Sequence, residues 1–230
     1  MITPRLDMIL RHVSGKTAAD IGTDHGYVPI KLAQTGIKAI AADINEGPLS
    51  SARANAQKYG ADIDLRLGPG LAPLTPGEAD CIIIAGMGGE MIEKIISADY
   101  ETARRSLLVL QPMSQQYELR KFLRRSGFRI TAEDLAREGN KIYNLFTAES
   151  GVPDEYRNEI DFYIPPLLYE NPLFDDFCEK KRREFTRIYR GLLQGGDLTA
   201  AEKFKTLLDE LSEMRENKPK IRGERKNENV

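Results

Sequence analysis

Residues 18–33, AADIGTDHGYVPIKLA, decide how the chain is read. An apolar run from Thr17 to Ile21 carries an acid, Asp20. A glycine-bearing polar turn follows, and apolar residues at helical spacing begin near Tyr27. Strand, turn and helix in that order make the turn a candidate ligand site. Glycine lacks Cβ, so the backbone can bend sharply and approach a small molecule closely. The helix that follows aims unpaired N–H groups at the same place. Acids on such a turn weigh against a tightly held pyrophosphate and favour a ligand with positive groups. Asp20, Gly22, Thr23 and Gly26 are the residues the turn offers to it.

Downstream segments repeat the unit. Lys38 to Asp43 reads as a second strand ending in an acid about twenty residues after Asp20, suited to grip a ribose hydroxyl pair. Ile44 and Asn45 stand beside it. The alternative for Asp43 is an N-cap of the helix predicted over Pro48–Tyr59. Asp62 to Leu67 alternates as a third strand, and Gly68-Pro69-Gly70 makes a turn against which an adenine ring can lie. The fourth strand spans Ala79 to Ala85, and its run Cys81-Ile82-Ile83-Ile84 is typical of a strand covered on both faces. It leads into Gly86-Met87-Gly88-Gly89. A structural turn needs one glycine, whereas three in four positions leave open backbone at the sheet edge where such folds bind ligands. S-adenosylmethionine, an adenosine bearing a sulfonium and an ammonium, suits these features.

Ser106 to Leu110 reads as the fifth strand, with a helix over Gln115–Ser126. Phe128–Leu135 and Lys141–Ala148 are joined by too few residues for a crossover helix, so they form an antiparallel hairpin. A dinucleotide dehydrogenase would instead repeat a second mononucleotide half. The fold class is therefore α/β, a mostly parallel sheet whose last strand is antiparallel. Thr3-Pro4 opens an N-terminal helix with the stripe Leu6, Ile9, Leu10 and Val13; its Arg5 and Arg11, with Lys16, read as a solvated face, with an RNA contact as the alternative. Gly151-Val152-Pro153 closes a first domain, residues 1–150. A coiled-coil-like α-helical hairpin is expected over 151–217, with one helix from Phe174 to Leu192. A capping box at Thr199 and Glu202 opens the other, which carries Phe204, Leu207, Leu211 and Met214. Residues 218–230 are expected to be an unstructured basic tail.

Bulk properties exclude several classes. The 230 residues carry a formal net charge of −2, so nucleic acid must be met by a local patch. Lys180-Lys181-Arg182-Arg183 is one candidate, and Lys218, Lys220, Arg222, Arg225 and Lys226 form another. Glutamates are mixed into both, which leaves a plain solvated face as the alternative. Two separated cysteines and two histidines make a metal site unexpected and suit a reducing cytoplasm. No apolar run approaches the ~20 residues needed to span a bilayer, and no signal peptide is visible. A soluble cytoplasmic protein with no membrane partner is expected, monomeric unless the hairpin dimerises.

DIGTDHGYVP (20–29), AADIN (41–45), IIIAGMGGEMI (82–92), LQPM (110–113) and KIYNLFTAE (141–149), followed by a helical hairpin, resemble the bacterial tRNA (adenine(22)-N1)-methyltransferase family along nearly the whole chain. The resemblance implies a Rossmann-like class I S-adenosylmethionine-dependent fold, a donor site on Gly22 and Asp43, and methylation of an adenine N1 in the D-arm of tRNA. Two departures from the wider superfamily matter. Asp24 replaces the middle of three alternating glycines, which puts it near the donor's methionine part or the entering base. Pro69 stands where many relatives have an acid for the adenine amine, which shifts that contact to backbone at Gly68 and Gly70.

The chemistry follows. Adenine N1 is unprotonated at neutral pH, so alignment of nucleophile, carbon and sulfur matters more than a strong base. The product ring is cationic, and a nearby carboxylate stabilises it. Asp24 is the first candidate, with His25 and Tyr27 beside it for hydrogen bonding or stacking; His25 satisfying its own turn is the alternative. Gly86 and Met87 border the donor, while Gly88 and Gly89 take the base edge. N1 lies on the Watson–Crick edge, so the adenine must be unpaired or extruded. Lys180, Lys181, Arg182 and Arg183 would hold the RNA backbone. Two other readings stay open: transfer to a different acceptor, or a non-catalytic module that recruits a partner through the hairpin.

Overall fold

The computed structural model describes residues 2–153, 156 and 158–225, the last eleven by backbone alone. The chain divides into two compact units, Met1–Asp154 and Glu155–Val230.

The first unit opens with α1 (Pro4–Arg11), where the Thr3 hydroxyl accepts the Leu6 N–H at 3.4 Å and Pro4 occupies the first turn. Then come β1 (Thr17–Ile21), α2 (Tyr27–Gln34), β2 (Lys38–Asp43), α3 (Glu46–Tyr59) and β3 (Ile63–Leu67). β4 (Cys81–Ala85), α4 (Gly89–Ala98), α5 (Tyr100–Ala103), β5 (Leu107–Gln111), α6 (Gln116–Arg125), β6 (Phe128–Glu138) and β7 (Lys141–Ser150) complete it. The strands form one sheet in the order β3-β2-β1-β4-β5-β7-β6. β1 to β5 are parallel, and β7 runs antiparallel to both β5 and β6. The order reverses between β1 and β4, so their carboxyl ends diverge into a crevice.

Alternation explains the unbroken apolar strands. Ile82 and Ile84 pack in one layer with Ile21, Ile92, Leu110 and Leu119. Cys81 and Ile83 face the opposite layer with Met8, Ile9, Val28 and Leu32. Both faces are covered by helices, so polar residues have no solvated side to occupy. Each fully buried large aliphatic side chain contributes about 1.5–3 kcal/mol. At the far edge, Arg120 of α6 is buried and donates to both carboxylate oxygens of Glu133, at 2.9 and 2.7 Å, and to Asn144. Its guanidinium lies 4.9 Å from the Phe146 ring centroid. One charge thereby ties α6 to both strands of the closing hairpin.

The second unit contains two 3-10 turns, Glu159–Phe162 and Pro166–Leu168, then α7 (Phe174–Gly195) and α8 (Leu198–Arg225). Phe174, Phe177, Cys178 and Phe185 of α7 are buried, as are Ala201, Leu207 and Leu211 of α8. The Phe185 and Phe204 rings meet at 5.8 Å, so the two stripes pack on each other. Two expectations are corrected. The cap of α8 is Asp197, whose carboxylate accepts the Ala200 N–H at 3.0 Å, and Thr199 lies inside the helix. Asp197 follows Gly196, whose φ of +78° ends α7, so the aspartate is the first side chain able to cap. The helix also continues to Arg225, which makes 218–225 helical instead of an unstructured tail; Lys226 lies outside the described residues.

Candidate active site at the carboxyl edge of the sheet

The first wall is the turn after β1. The Gly22 and Thr23 N–H groups both donate to the Ala42 carbonyl, at 2.8 and 3.1 Å, which pins the turn to β2. Gly22 has φ +76°, and Gly26, at φ +69°, precedes α2 without a side-chain cap. A Cβ at Gly26 would stand 2.9 Å from that of Ala52, so glycine lets α2 approach α3. Asn55 of α3 clamps the turn from outside, donating to the His25 carbonyl at 2.9 Å. The Thr23 hydroxyl is buried beside the Asp20 carboxyl.

Asp20 is buried inside this wall, and no cation lies within ion-pair distance of it among the described residues. Burial pushes its carboxyl up to about 6, with Asp43 adding to the rise; the nearby Thr23 hydroxyl and the charge of Arg5 act against it. Asp24 and His25 sit at the mouth. Their side chains are 78% and 51% exposed, with Nε2 to Oδ2 at 3.3 Å. The His25 and Tyr27 rings are 5.7 Å apart.

The second wall is the end of β2. The Asp43 carboxylate accepts the Asn45 N–H at 2.7 Å, while Asn45 itself precedes α3 as its N-cap residue. The helix-cap alternative for Asp43 therefore does not hold, and its second oxygen has no protein donor among the described residues. Ile44 is exposed beside it, and the Gly68 N–H donates to the Asp43 carbonyl at 2.9 Å. Gly68 has a packing reason as well, since its Cβ would stand 2.8 Å from Cγ of Pro73. The loop bearing Gly68 and Gly70 is tied down by Arg66, which donates to both Glu78 oxygens at 2.9 and 2.6 Å. Arg66 holds the Glu78 carboxyl down at about 2.

The third wall is the loop after β4. Gly86, at φ +80°, donates its N–H to the Gln111 carbonyl at 3.0 Å, and Met87 accepts from the Met113 N–H at 2.8 Å. Against expectation, not every glycine of this loop leaves open backbone for a ligand. A Cβ at Gly89 would stand 2.5 Å from the Gln115 carbonyl oxygen, so this glycine serves packing against the next loop. Gln115 itself has φ +57°, the left-handed region that non-glycine residues seldom adopt. Gly88 bridges to Ser114. The Met87 methyl rests on the open face of Gly22, which brings the loops after β1 and β4 together.

Arg5 was the residue that reading by pattern missed. It is half-buried, donates to Oε1 of the buried Gln111 at 3.1 Å, lies 3.6 Å from where a Cβ on Gly86 would be, and sits over the Tyr143 ring. A signal for it existed. The link from α1 to β1 is short, so α1 runs antiparallel to β1 and its first turn must lie at the carboxyl edge.

The basic cluster of α7 is dispersed. Consecutive residues are about 100° apart around a helix. Lys181 is accordingly turned inward, paired with Glu184 at 3.1 Å, and Arg182 and Arg183 share Glu179 while Lys180 is exposed. No group of three or more His, Cys, Asp or Glu side chains able to hold a metal occurs among the described residues. No helix among them is long and apolar enough to cross a membrane.

An acid at each of two strand ends, a buried hydroxyl beside the first of them and a glycine face covered only by the flexible Met87 side chain fit a methionine-bearing nucleoside. Fold and site together define a methyltransferase of the Rossmann-like type, and the family model described as "Methyltransferase domain" matches residues 2–146. A curated relative is the tRNA (adenine(22)-N(1))-methyltransferase of Bacillus subtilis, 30% identical over 94% of this chain and 96% of its own. The crystal structure of the Bacillus subtilis enzyme of that specificity superposes with a TM-score of 0.76 at 29% identity, over 96% of this chain and 98% of that one. A Streptococcus pneumoniae protein solved with S-adenosyl-L-methionine superposes with a TM-score of 0.77 at 31% identity, over 90% of this chain and all of that one. The chain belongs to the tRNA (adenine(22)-N1)-methyltransferase family.

Proposed function

We infer that this chain transfers a methyl group from S-adenosylmethionine to N1 of an unpaired adenine in tRNA, the adenine at position 22. The observation that carries the reading is the abutment of two loops, with the Met87 methyl lying on Gly22. A donor held on the first loop would thus face an acceptor resting on the second. When bound, the cofactor supplies a methyl group activated by its sulfonium. Asp20 and Thr23 would hold the methionine portion, and Asp43 with the Asn45 backbone the ribose. Ile44, Gly68 and Gly70 would flank the adenine of the donor.

Gly22 leaves the space that the donor enters, and Met87, unbranched and flexible, yields that space and packs against the acceptor ring. The Gly86–Gly89 backbone lies along the base edge, with Arg5 and Gln111 fixing its position. Asp24 stands at the mouth, and an incoming base would strip water from it, which strengthens its effect on a ring becoming cationic. On α7, Lys180, Arg182 and Arg183 outnumber Glu179 and would meet tRNA phosphates. The absence of a membrane-crossing helix among the described residues and a tRNA substrate support action in the cytoplasm.

The test is direct. Purified protein, an unmodified tRNA transcript and methyl-labelled S-adenosylmethionine should yield 1-methyladenosine at position 22. A transcript with guanosine there should stay unlabelled. Label on any other nucleotide, or none at all, would overturn the assignment.

A further inference from the structure

A separate hollow opens between α1 and α2, with a cavity volume of about 150 Å³. Ile2, Leu6 and Leu10 form one wall at four-residue spacing, and Tyr27, Lys31 and Tyr59 face them. Tyr27 and Tyr59 are each 48% exposed, a large aromatic surface to leave in water. Tyr27 brings one end of the hollow beside the donor turn, its ring 5.7 Å from that of His25. Cations mark its rim. Lys31 donates to Gln34 at 3.0 Å, and the Lys58 ammonium sits 5.5 Å from the Tyr59 ring centroid.

An apolar hollow of roughly 150 Å³ accommodates one benzene-sized ring. That is too little for an amphipathic helix, which inserts a row of anchors spaced along several turns. Aromatic faces with flanking ammonium groups are the recurring means of stacking an unpaired base while its phosphate is neutralised. We propose that this hollow binds a second unpaired nucleotide of the RNA, a neighbour of the one that is methylated. The proposal rests on the RNA reading above. Stacking this neighbour outside the RNA fold holds the target extruded and offsets part of the cost of unstacking it.

The chain contains no tryptophan, so Tyr59→Trp installs a single reporter in the hollow. Unmodified tRNA added to this variant should quench its emission. In parallel, Tyr59→Ala should raise the KM for tRNA roughly 5- to 150-fold. Its affinity for S-adenosylmethionine should stay unchanged, and Tyr59→Phe should behave as the parent. If the parent protein methylates tRNA but no quenching occurs, or Tyr59→Ala matches Tyr59→Phe, the subsite is overturned and the enzymatic reading stands. Quenching without methyl transfer by the parent would overturn the reading and, with it, a subsite beside a methylated base, leaving an RNA-binding hollow alone. Neither signal would overturn both.

Discussion

Asp20 is the residue whose chemistry most constrains the site. Burial holds its carboxyl near 6, so in the free protein it takes up a proton as pH falls through that value. The raised value means that ionising this group costs stability as pH rises from its unfolded value of about 3.9 to 6. A bound cation favours the carboxylate and recovers that cost. Affinity for S-adenosylmethionine should therefore be flat above pH 6 and fall below it, by up to about tenfold per pH unit. Calorimetric titrations between pH 5 and 8 check this. Asp20→Asn should bind more weakly and lose the inflection, and an unaltered inflection in that variant would assign it to another group. The type and place of Asp20, Asp43 and the glycines were legible because strand ends and turns are local patterns. For Arg5 the short link from α1 to β1 marks the edge where it lies, but its partner Gln111 is more than a hundred residues away and no local rule couples them.

At the scale of elements, α6 and the β6–β7 hairpin depend on a buried ion pair. Arg120 and Glu133 are both withdrawn from water, and Asn144 completes the set. Removing Glu133 takes away the carboxylate that two nitrogens of the buried guanidinium reach, and breaking a buried pair in this way typically costs about 3–5 kcal/mol. Glu133→Ala should lower the denaturation midpoint accordingly, whereas a change below about 1 kcal/mol would mean that water reaches Arg120. Strand and helix order was readable because the period of two and the apolar runs are local. The cap of α8 was misread because Thr199 and Glu202 fit the capping pattern, while Asp197, two residues earlier, takes the N–H first. The basic run on α7 misled for a related reason. Adjacency in sequence places consecutive side chains around a helix, and Lys181 falls on the buried stripe of Phe174, Phe177, Cys178 and Phe185.

For the whole molecule, each compact unit has its own buried apolar set. A chain ending at residue 153 should thus fold and bind S-adenosylmethionine with parent affinity while losing most of its affinity for tRNA. Calorimetry for the donor and filter binding for the RNA check both halves, and full retention of tRNA affinity would assign the helical hairpin another task. The sequence by itself determined the succession of strands and helices, the closing hairpin, the two acidic strand ends and the glycine loops, because each is written in neighbouring residues whose backbone demands are local. Only the tertiary structure decided that Met87 lies on Gly22, that Arg5 reaches Gln111, that Gly89 exists to admit the Gln115 carbonyl, and that a ring-sized hollow opens beside Tyr27. Those are contacts between distant segments, fixed by how helices pack across a sheet, and no spacing along the chain encodes them.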